Sequence, residues 1–227
     1  MGRAVQSFFV TSTGTGVGKT YTTCALIRQA RALGKKVAAT KPLISGFDKE
    51  KIAESDTGAI LAALGEDLSE ANARKISPWR FAAPLAPNMA AAAEGRAVDC
   101  DALFAHSRAF LAEKTEVALI EGVGGVMVPL DARKTVLDWI AASGAPAILV
   151  VGAYLGTISH TLTAVEVLQM RKIPLAAVIV NEGVNDEVPF AATRAELAAR
   201  LATKILPLRR GAAGETLRDL LSPADCA

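Results

Sequence analysis

Residues 8–23 read FFVTSTGTGVGKTYTT: a short apolar run, a loop of Gly and Thr, and then Gly-Lys-Thr. The apolar positions Ala25, Leu26, Ala30 and Leu33 then recur with the spacing of a helix. A strand, a glycine-rich turn and a helix in this order predict a phosphate-binding loop, because glycines let successive backbone N–H groups converge on an anion. The amino end of the helix adds unpaired donors and a partial positive charge.

Two side chains of this loop carry chemistry. In a phosphate-binding loop the lysine, here Lys19, reaches the β- and γ-phosphates, and the hydroxyl, here Thr20, ligates Mg²⁺. The common pattern G-x-x-x-x-G-K-[ST] asks for Gly at position 13, whereas this chain has Thr13 and places glycines at Gly14 and Gly16. The alternative is a flexible turn with a solvated lysine, which does not account for the strand before the loop and the helix after it.

The composition is that of one α/β domain, and we expect a single domain over residues 1–227, of which 51% are hydrophobic. No apolar run reaches the ~18 residues that span a bilayer. Because the amino-terminal residues lead directly into the first predicted strand, we expect no signal peptide. The net charge of +2 argues against a nucleic-acid or membrane partner. Cys24, Cys100 and Cys226 have neither metal-ligand nor disulfide spacing, which fits a cytoplasmic protein.

Apolar runs alternate with helical patterns along the rest of the chain. We predict further strands at 36–40, 117–120, 147–151, 175–180 and 205–206. Helical patterns occupy 60–64, 88–94, 101–111, 135–142, 155–169, 190–202 and 215–221, whereas 48–54 is a charged loop and 77–87 an extended segment. This alternation predicts a three-layer α/β fold with a mainly parallel central sheet flanked by helices.

Polar residues follow the second predicted strand, at the edge of a parallel sheet where ligands bind. Lys41 and Ser45 lie at the carboxyl end of this strand, although a lone lysine there is equally explained as a surface charge. Further on, Ser55 and Asp56 precede a helical pattern, and either of them could cap the helix. By local sequence alone, the cap is the favoured role of Asp56.

Glu121 ends a continuous apolar run, which is typical of a strand buried on both faces. The glycines that follow, at 122, 124 and 125, let the backbone come close to a ligand. A carboxylate in this position suits Mg²⁺ ligation, directly or through water. The alternative is an acidic turn.

Together the strand ends resemble those of the dethiobiotin synthetase family, over residues 8–181. In chain order they read VTSTGTGVGKT, KPLISG, SD, EGVGGVMVPL, LGTISHT and VNE. The combination of K-P-x-x-S-G with E-G-x-G-G-x-x-x-P-L is the specific part. The resemblance implies a P-loop NTPase fold and an ATP-dependent ligase. Such an enzyme joins CO₂ to the two amines of 7,8-diaminopelargonate, forms a cyclic urea and releases ADP and phosphate.

The resemblance also implies roles for single residues. Lys41 and Lys19 would be catalytic, and Mg²⁺ would be held by Thr20, Asp56 and Glu121. ATP would be bound by Thr15, Gly16, Val17, Gly18, Lys19, Thr20, Asp56, Glu121, Gly122, Val123, Gly124, Asn181 and Glu182, with Asn181 reading the adenine. The diamine would be bound by Thr15, Ser45, Gly124, Gly156, Thr157 and Ser159. The family acts as a homodimer, with the carboxylate end of the substrate bound across the interface near residues 156–160.

The chain departs from the family's pattern at several positions. Ser12 stands where the family usually has Gly, Asn88 where related chains often have His, and Ser159 where Asn is usual. Beyond Asn181 the resemblance fades, and a second adenine-contacting segment is expected near residues 207–208.

Two other functions fit parts of the sequence. A P-loop ligase of the cobyrinate-amidating type would need a glutaminase module with a nucleophilic cysteine, and the sequence shows none. A partitioning switch of the ParA/MinD type would carry a second lysine early in the loop, where this chain has Thr13, Gly14 and Gly16. It would also need a basic patch or an amphipathic tail, and neither is seen.

Overall fold

The computed structural model describes residues 5–184, 186–212 and 214–222. The predictions on the amino-terminal residues before Val5 and on Cys226 therefore lie outside the described residues. The strands are β1 Gln6–Ser12, β2 Val37–Thr40, β3 Leu43–Ser45, β4 Trp79–Phe81, β5 Val117–Glu121, β6 Ala147–Val151, β7 Leu175–Asn181 and β8 Ile205–Leu208. The α-helices are α1 Lys19–Ala32, α2 Asp56–Leu64, α3 Glu70–Ile76, α4 Pro87–Ala93, α5 Cys100–Leu111, α6 Val136–Ser143, α7 Thr157–Met170, α8 Phe190–Arg200 and α9 Arg218–Leu221.

A six-stranded sheet forms the centre of the molecule, in the order β2-β5-β1-β6-β7-β8. All its strand pairs are parallel. Thr40 is in register with Ile120, and Val10 with Glu121, so β2, β5 and β1 end close together. The loops after neighbouring parallel strands meet at the carboxyl edge of a sheet. The predicted parallel sheet is confirmed, and its topology brings three of the predicted site segments to one place.

Helices cover both faces of the sheet. Successive side chains of β1 point to opposite faces, so Phe9 packs into one apolar cluster while Phe8 and Val10 pack into the other. The rings of Phe9 and Trp139 meet edge to face, with centroids 5.0 Å apart. Helices α4 to α8 contribute to the cluster of Phe9, and α1, α2, α3 and α9 to the other. The predicted three layers are confirmed.

Several short elements differ from the prediction. Helix α3 and the parallel pair of β3 with β4 were not predicted, because these elements are too short to give a clear period. The predicted charged loop at 48–54 contains the 3₁₀ helix Lys49–Glu54, capped by Asp48. The extended segment at 77–87 contains β4, but its Pro87 begins α4, at a position that proline favours. The predicted helix at 215–221 divides into the 3₁₀ helix Glu215–Leu217 and α9.

The described part of the chain holds no helix that is both long and apolar enough to cross a bilayer. Cys24 and Cys100 are free and buried. Burial raises the pKa of the Cys24 thiol to about 12, because an apolar environment disfavours the charged thiolate.

Candidate active site

The phosphate loop leaves the end of β1 and enters α1, as the sequence predicts. Gly18 caps the helix with φ 97°, and Gly16 has φ 78°, conformations that residues with a Cβ rarely adopt. A Cβ at Gly18 would also lie 2.0 Å from Nδ2 of Asn181. The loop therefore passes so close to the tip of β7 that only glycine fits at position 18.

Lys19 lies inside this loop. Its Nζ donates to the hydroxyl of Ser12 at 3.1 Å and to the carbonyl oxygen of Gly14 at 3.3 Å. Burial, followed by the positive charge of Lys41, lowers the pKa of Lys19 to about 8. The ammonium is thus held on the loop by two neutral acceptors. A phosphate group would be a stronger acceptor, because it is negatively charged.

Lys41 is buried between two carboxylates, with only 3% of its side chain exposed. Its Nζ lies 2.8 Å from Oδ2 of Asp56 and 2.7 Å from Oε1 of Glu121. Burial opposes the charged form of Lys41, but the charges of Glu121 and Asp56 raise its pKa above the ordinary value. The alternative of Lys41 as a surface charge is therefore wrong.

Asp56 is the first residue of α2, and its carboxylate faces Lys41. Burial alone would raise the pKa of Asp56, but the charge of Lys41 and hydrogen bonds from Lys41 and Thr20 hold it below the ordinary value. The capping role falls to Ser55, whose Oγ accepts the backbone N–H of Gly58 at 3.1 Å. The prediction from local sequence that Asp56 caps the helix is wrong, because the cap position precedes the first helical residue.

Glu121 lies at the end of β5 and is fully buried, so the alternative of an acidic turn is wrong as well. The hydroxyl of Thr20 donates to its Oε1 at 2.7 Å, while its Oε2 is buried without a hydrogen-bond partner among the described residues. An unpaired buried carboxylate oxygen is costly, and it points to a missing electropositive partner. With Asp56 and Thr20 beside it, this donor set consists of the hard oxygen atoms that Mg²⁺ prefers.

Within the described ranges no group of three or more His, Cys, Asp and Glu side chains could hold a metal ion. Mg²⁺ is commonly bound by only one or two carboxylates, together with water and substrate phosphates. Asp56 and Glu121 supply two carboxylates here, and the hydroxyl of Thr20 lies beside them.

The glycine-rich loop after β5 packs against the phosphate loop. The N–H of Gly122 donates to the carbonyl of Val10 at 2.9 Å, and the hydroxyl of Ser12 lies 2.9 Å from the carbonyl oxygen of Gly124. A Cβ at Gly125 would lie 3.0 Å from the carbonyl oxygen of Thr13. These glycines allow the two loops to pack closely on each other, whereas their approach to a ligand stays a prediction.

A cavity of about 670 Å³ opens onto the two loops. Its walls include the predicted site residues Thr15, Gly16, Gly18, Lys19, Thr20, Lys41, Ser45, Asp56, Val123 and Gly124. Apolar side chains, among them Ile44, Pro84 and Val128, line the rest. A polar end beside the phosphate loop and an apolar remainder suit a nucleotide phosphate next to an aliphatic substrate.

Asn181 and Glu182 lie beyond the phosphate loop, at the tip of β7. The Nδ2 of Asn181 donates to the carbonyl of Val17 at 3.2 Å, and its Oδ1 is buried without a partner in the described structure. Glu182 accepts the backbone N–H of Arg210 at 3.0 Å and lies 3.5 Å from the guanidinium of Arg209. Both residues are therefore near the loop but do not line the cavity around Lys41.

The predicted contacts to the substrate tail lie elsewhere on the described chain. Gly156 and Ser159 are exposed near the start of α7, and the buried hydroxyl of Thr157 donates to the carbonyl of Gly152 at 2.7 Å. None of the three lines the cavity around Lys41. Their role in binding the diamine stays a prediction.

Two residues of the site were not assigned a role from the sequence. Ser12 connects Lys19 to the glycine-rich loop, and the only sequence signal was its place at the start of the phosphate loop. Tyr21 lines the cavity and contacts Arg209, which is 188 positions further along the chain. No local pattern predicts a contact at that separation.

A parallel sheet with Gly-Lys-Thr after its central β1, and with a buried lysine and two carboxylates beside it, defines a P-loop nucleotide-binding protein. Solved structures agree on the fold. The septum site-determining protein MinD from Pyrococcus horikoshii superposes with a TM-score of 0.57 at 16% identity, over 98% of this chain and 97% of that one. The cell division protein FtsY from Thermotoga maritima gives 0.56 at 13% identity, over 97% and 69%.

Sequence comparison defines the family more closely. The model of the AAA domain family matches residues 6–208. Proteins named ATP-dependent dethiobiotin synthetase BioD are 45% identical in Phenylobacterium zucineum, over 85% of this chain and 83% of theirs, and 45% in Acidiphilium cryptum, over 87% and 89%. The relative of that name in Methylobacterium nodulans is 41% identical over 91% and 94%. This chain belongs to the ATP-dependent dethiobiotin synthetase family.

Proposed function

We propose that this protein is an ATP-dependent dethiobiotin synthetase. It carboxylates 7,8-diaminopelargonate with CO₂ and closes the ureido ring, with conversion of ATP to ADP and phosphate. The observation that carries the proposal is the buried Lys41, paired with Asp56 and Glu121 beside the phosphate loop. It is found in a chain that is 41–45% identical to proteins of that name over most of its length.

The reaction needs charge neutralisation and positioning more than it needs a nucleophile from the protein. One substrate amine adds to CO₂ and forms a carbamate. A carbamate oxygen then attacks the γ-phosphorus of ATP, and ADP leaves. The second amine attacks the carbonyl carbon of the resulting carbamic–phosphoric anhydride, phosphate leaves, and the ring closes.

The two buried lysines match the places where negative charge gathers. Lys19 would release Ser12 and Gly14 to bind the β- and γ-phosphates, and the backbone of the phosphate loop would surround them. Lys41 would stand beside the transferred phosphoryl group and the carbamate, because it lines the same cavity. Thr20, Asp56 and Glu121 would hold Mg²⁺, which neutralises phosphate charge when it is bound.

Substrate binding would involve two regions. Thr15, Ser45 and Gly124 line the cavity and would contact the diamine end. Gly156, Thr157 and Ser159 would contact the carboxylate end. Because they lie outside this cavity in one chain, we propose that a second copy supplies them in a homodimer. The small molecules ATP, CO₂ and the diamine are the partners we propose, in the cytoplasm.

One assay tests the function. The protein is incubated with ATP, Mg²⁺, bicarbonate and diaminopelargonate, and dethiobiotin is measured by mass together with ADP. We expect one ADP for each dethiobiotin, and little ADP when the diamine is left out. ATP turnover that ignores the diamine would contradict the proposal and favour a switch of the ParA/MinD type.

A further inference from the structure

Tyr21 connects the phosphate loop to a distant segment of the chain. It follows Thr20 on the first turn of α1, and its half-buried ring lines the cavity beside Lys19. Its hydroxyl donates to the carbonyl of Arg209 at 3.3 Å and accepts the backbone N–H of Gly211 at 3.0 Å. The hydroxyl thus fastens residues 209–211 to the helix that begins at the phosphate loop.

The same segment is held from its other side. The guanidinium of Arg209 lies 3.5 Å from the carboxylate of Glu182 and stacks over the ring of Phe190, 5.3 Å from its centroid. The backbone N–H of Arg210 donates to Glu182 at 3.0 Å. We call Asn181, Glu182 and residues 209–211 the distal rim. It is a polar border formed by the segments that follow β7 and β8.

The distal rim has a polar atom that lacks a partner. Oδ1 of Asn181 is buried and makes no hydrogen bond within the described residues, while Nδ2 of the same amide is bonded to the phosphate loop. A buried acceptor without a donor is unfavourable, so a ligand that donates there would be bound selectively. The exocyclic amine of a nucleobase is such a donor, and Asn181 lies directly beside Gly18 of the loop.

We propose that Tyr21 is a positioning residue for the nucleoside part of the nucleotide. By holding residues 209–211 against α1, it keeps the distal rim in place to receive the base. It does not contribute to the binding of the phosphates, which the backbone of the loop, Lys19 and Thr20 hold. The inference depends on the proposed function only in taking a nucleoside triphosphate as the ligand.

Comparing two ligands distinguishes binding by the phosphate loop from binding by the distal rim. Magnesium tripolyphosphate occupies the phosphate loop alone, whereas magnesium ATP also contacts the distal rim. The variant Tyr21→Phe keeps the ring and removes both hydrogen bonds to residues 209–211. We expect calorimetry to give about five- to tenfold weaker binding of ATP, the effect of losing such bonds, and binding of tripolyphosphate within about twofold of wild type.

Tyr154→Phe is the matched control, because it makes the same chemical change on the other side of the phosphate loop. The Tyr154 hydroxyl lies 3.3 Å from that of Thr13 and 3.0 Å from Nδ1 of His160, and neither of these two partners belongs to the rim. We expect its ratio of ATP to tripolyphosphate affinity to equal that of wild type. Arg209→Ala loosens the same segment without changing Tyr21, and it should lower the ratio as Tyr21→Phe does.

Two outcomes would overturn the inference. If Tyr21→Phe weakened the binding of ATP and of tripolyphosphate equally, Tyr21 would support the phosphate loop and not the distal rim. If ATP affinity were unchanged in both Tyr21→Phe and Arg209→Ala, residues 209–211 would have no role in ATP binding. Neither measurement uses the diamine, so a wild-type protein that forms no dethiobiotin would contradict the proposed function and leave the role of Tyr21 intact.

Discussion

Lys41 balances the charge of the site. Its ammonium is buried with the fully buried carboxylate of Glu121 and the half-buried one of Asp56. Removing one partner of a buried ion pair leaves an uncompensated charge. This lowers the stability of the fold more than replacing both partners by apolar residues does. The residue proposed for catalysis therefore also stabilises the fold in the absence of ligands.

Replacing Lys41 separates these two roles. We expect Lys41→Met to reduce dethiobiotin formation more than about 100-fold, because positive charge at the transferred phosphoryl group is lost. Its free energy of unfolding in urea should fall by about 3 kcal/mol, since Glu121 is left unpaired. ATP affinity should stay within about fivefold of wild type, because Lys19 and the loop are unchanged.

The double variant Lys41→Met with Glu121→Gln is the control for stability. It removes both charges, so we expect it to regain part of the lost unfolding free energy without regaining product formation. Wild-type turnover by Lys41→Met would contradict the catalytic role of this residue.

Lys19 makes ATP binding dependent on pH. Its pKa is about 8 in the free protein, lowered from an ordinary value of 10.5, and bound phosphates would favour its charged form. Above pH 8 the free protein loses the proton that binding must restore, so affinity falls as the pH rises. We expect ATP to bind about five- to tenfold more weakly at pH 9 than at pH 7.5, as measured by calorimetry.

Lys19→Arg tests the assignment, because arginine stays charged over this range. Its ATP affinity should be lower than that of wild type but flat between pH 7.5 and pH 9. A wild-type affinity that does not change over the same interval would show that Lys19 is not the titrating group.

At the scale of the element, the phosphate loop depends on one glycine in particular. Gly18 combines a positive φ with an Asn181 side chain in the space that a Cβ would occupy. Gly14 belongs to the same loop, yet it has no atom within 4 Å of a Cβ and no positive φ. The two positions therefore make a matched pair.

We expect Gly18→Ala to lower the free energy of unfolding by about 2 kcal/mol or more, through backbone strain and the contact with Asn181. It should also abolish measurable ATP binding, because the amino end of α1 would move. Gly14→Ala should cost less than about 1 kcal/mol, since a Cβ there meets open space. Equal losses in the two variants, compared by thermal unfolding, would contradict this account of the loop.

The sequence predicted elements with a strong apolar pattern better than elements without one. Residues 117–120 of β5 and all of β6 are continuous apolar runs, buried at every position, and their pattern is unambiguous. β3 and β4 have three residues each, and α3 buries only Ala73 and Ile76 of its seven, so neither pattern stands out. Elements without a clear pattern form because of their tertiary neighbours, which local sequence does not report.

Contacts between individual side chains could be predicted only from a local sequence rule or from the motifs of the family. Ser55 and Asp56 are both good caps, and local sequence could not tell which would face Lys41. The family pattern grouped Lys41 with Asp56 and Glu121, and the structure brings the three together. The contact between Tyr21 and Arg209 follows no rule of either kind.

At the scale of the whole molecule, the spatial order of the strands creates the site. β2, β5 and β1 are neighbours in the sheet although they are far apart in the chain, so Lys41, Glu121 and the phosphate loop meet at one edge. The alternation of strands and helices predicts a parallel sheet but does not give this order. Gly156 and Ser159 do not line the cavity. In the proposed homodimer, they would contact the substrate bound to the other copy.

A crystal structure with Mg²⁺ and a non-hydrolysable ATP analogue would show whether the ends of β1, β2 and β5 form one nucleotide site. We predict the triphosphate on residues 15–20, with Mg²⁺ among the oxygens of Thr20, Asp56 and Glu121, directly or through water. The ammonium of Lys41 should face the γ-phosphate. Density for the triphosphate away from the phosphate loop, or for the metal away from these three residues, would contradict the account.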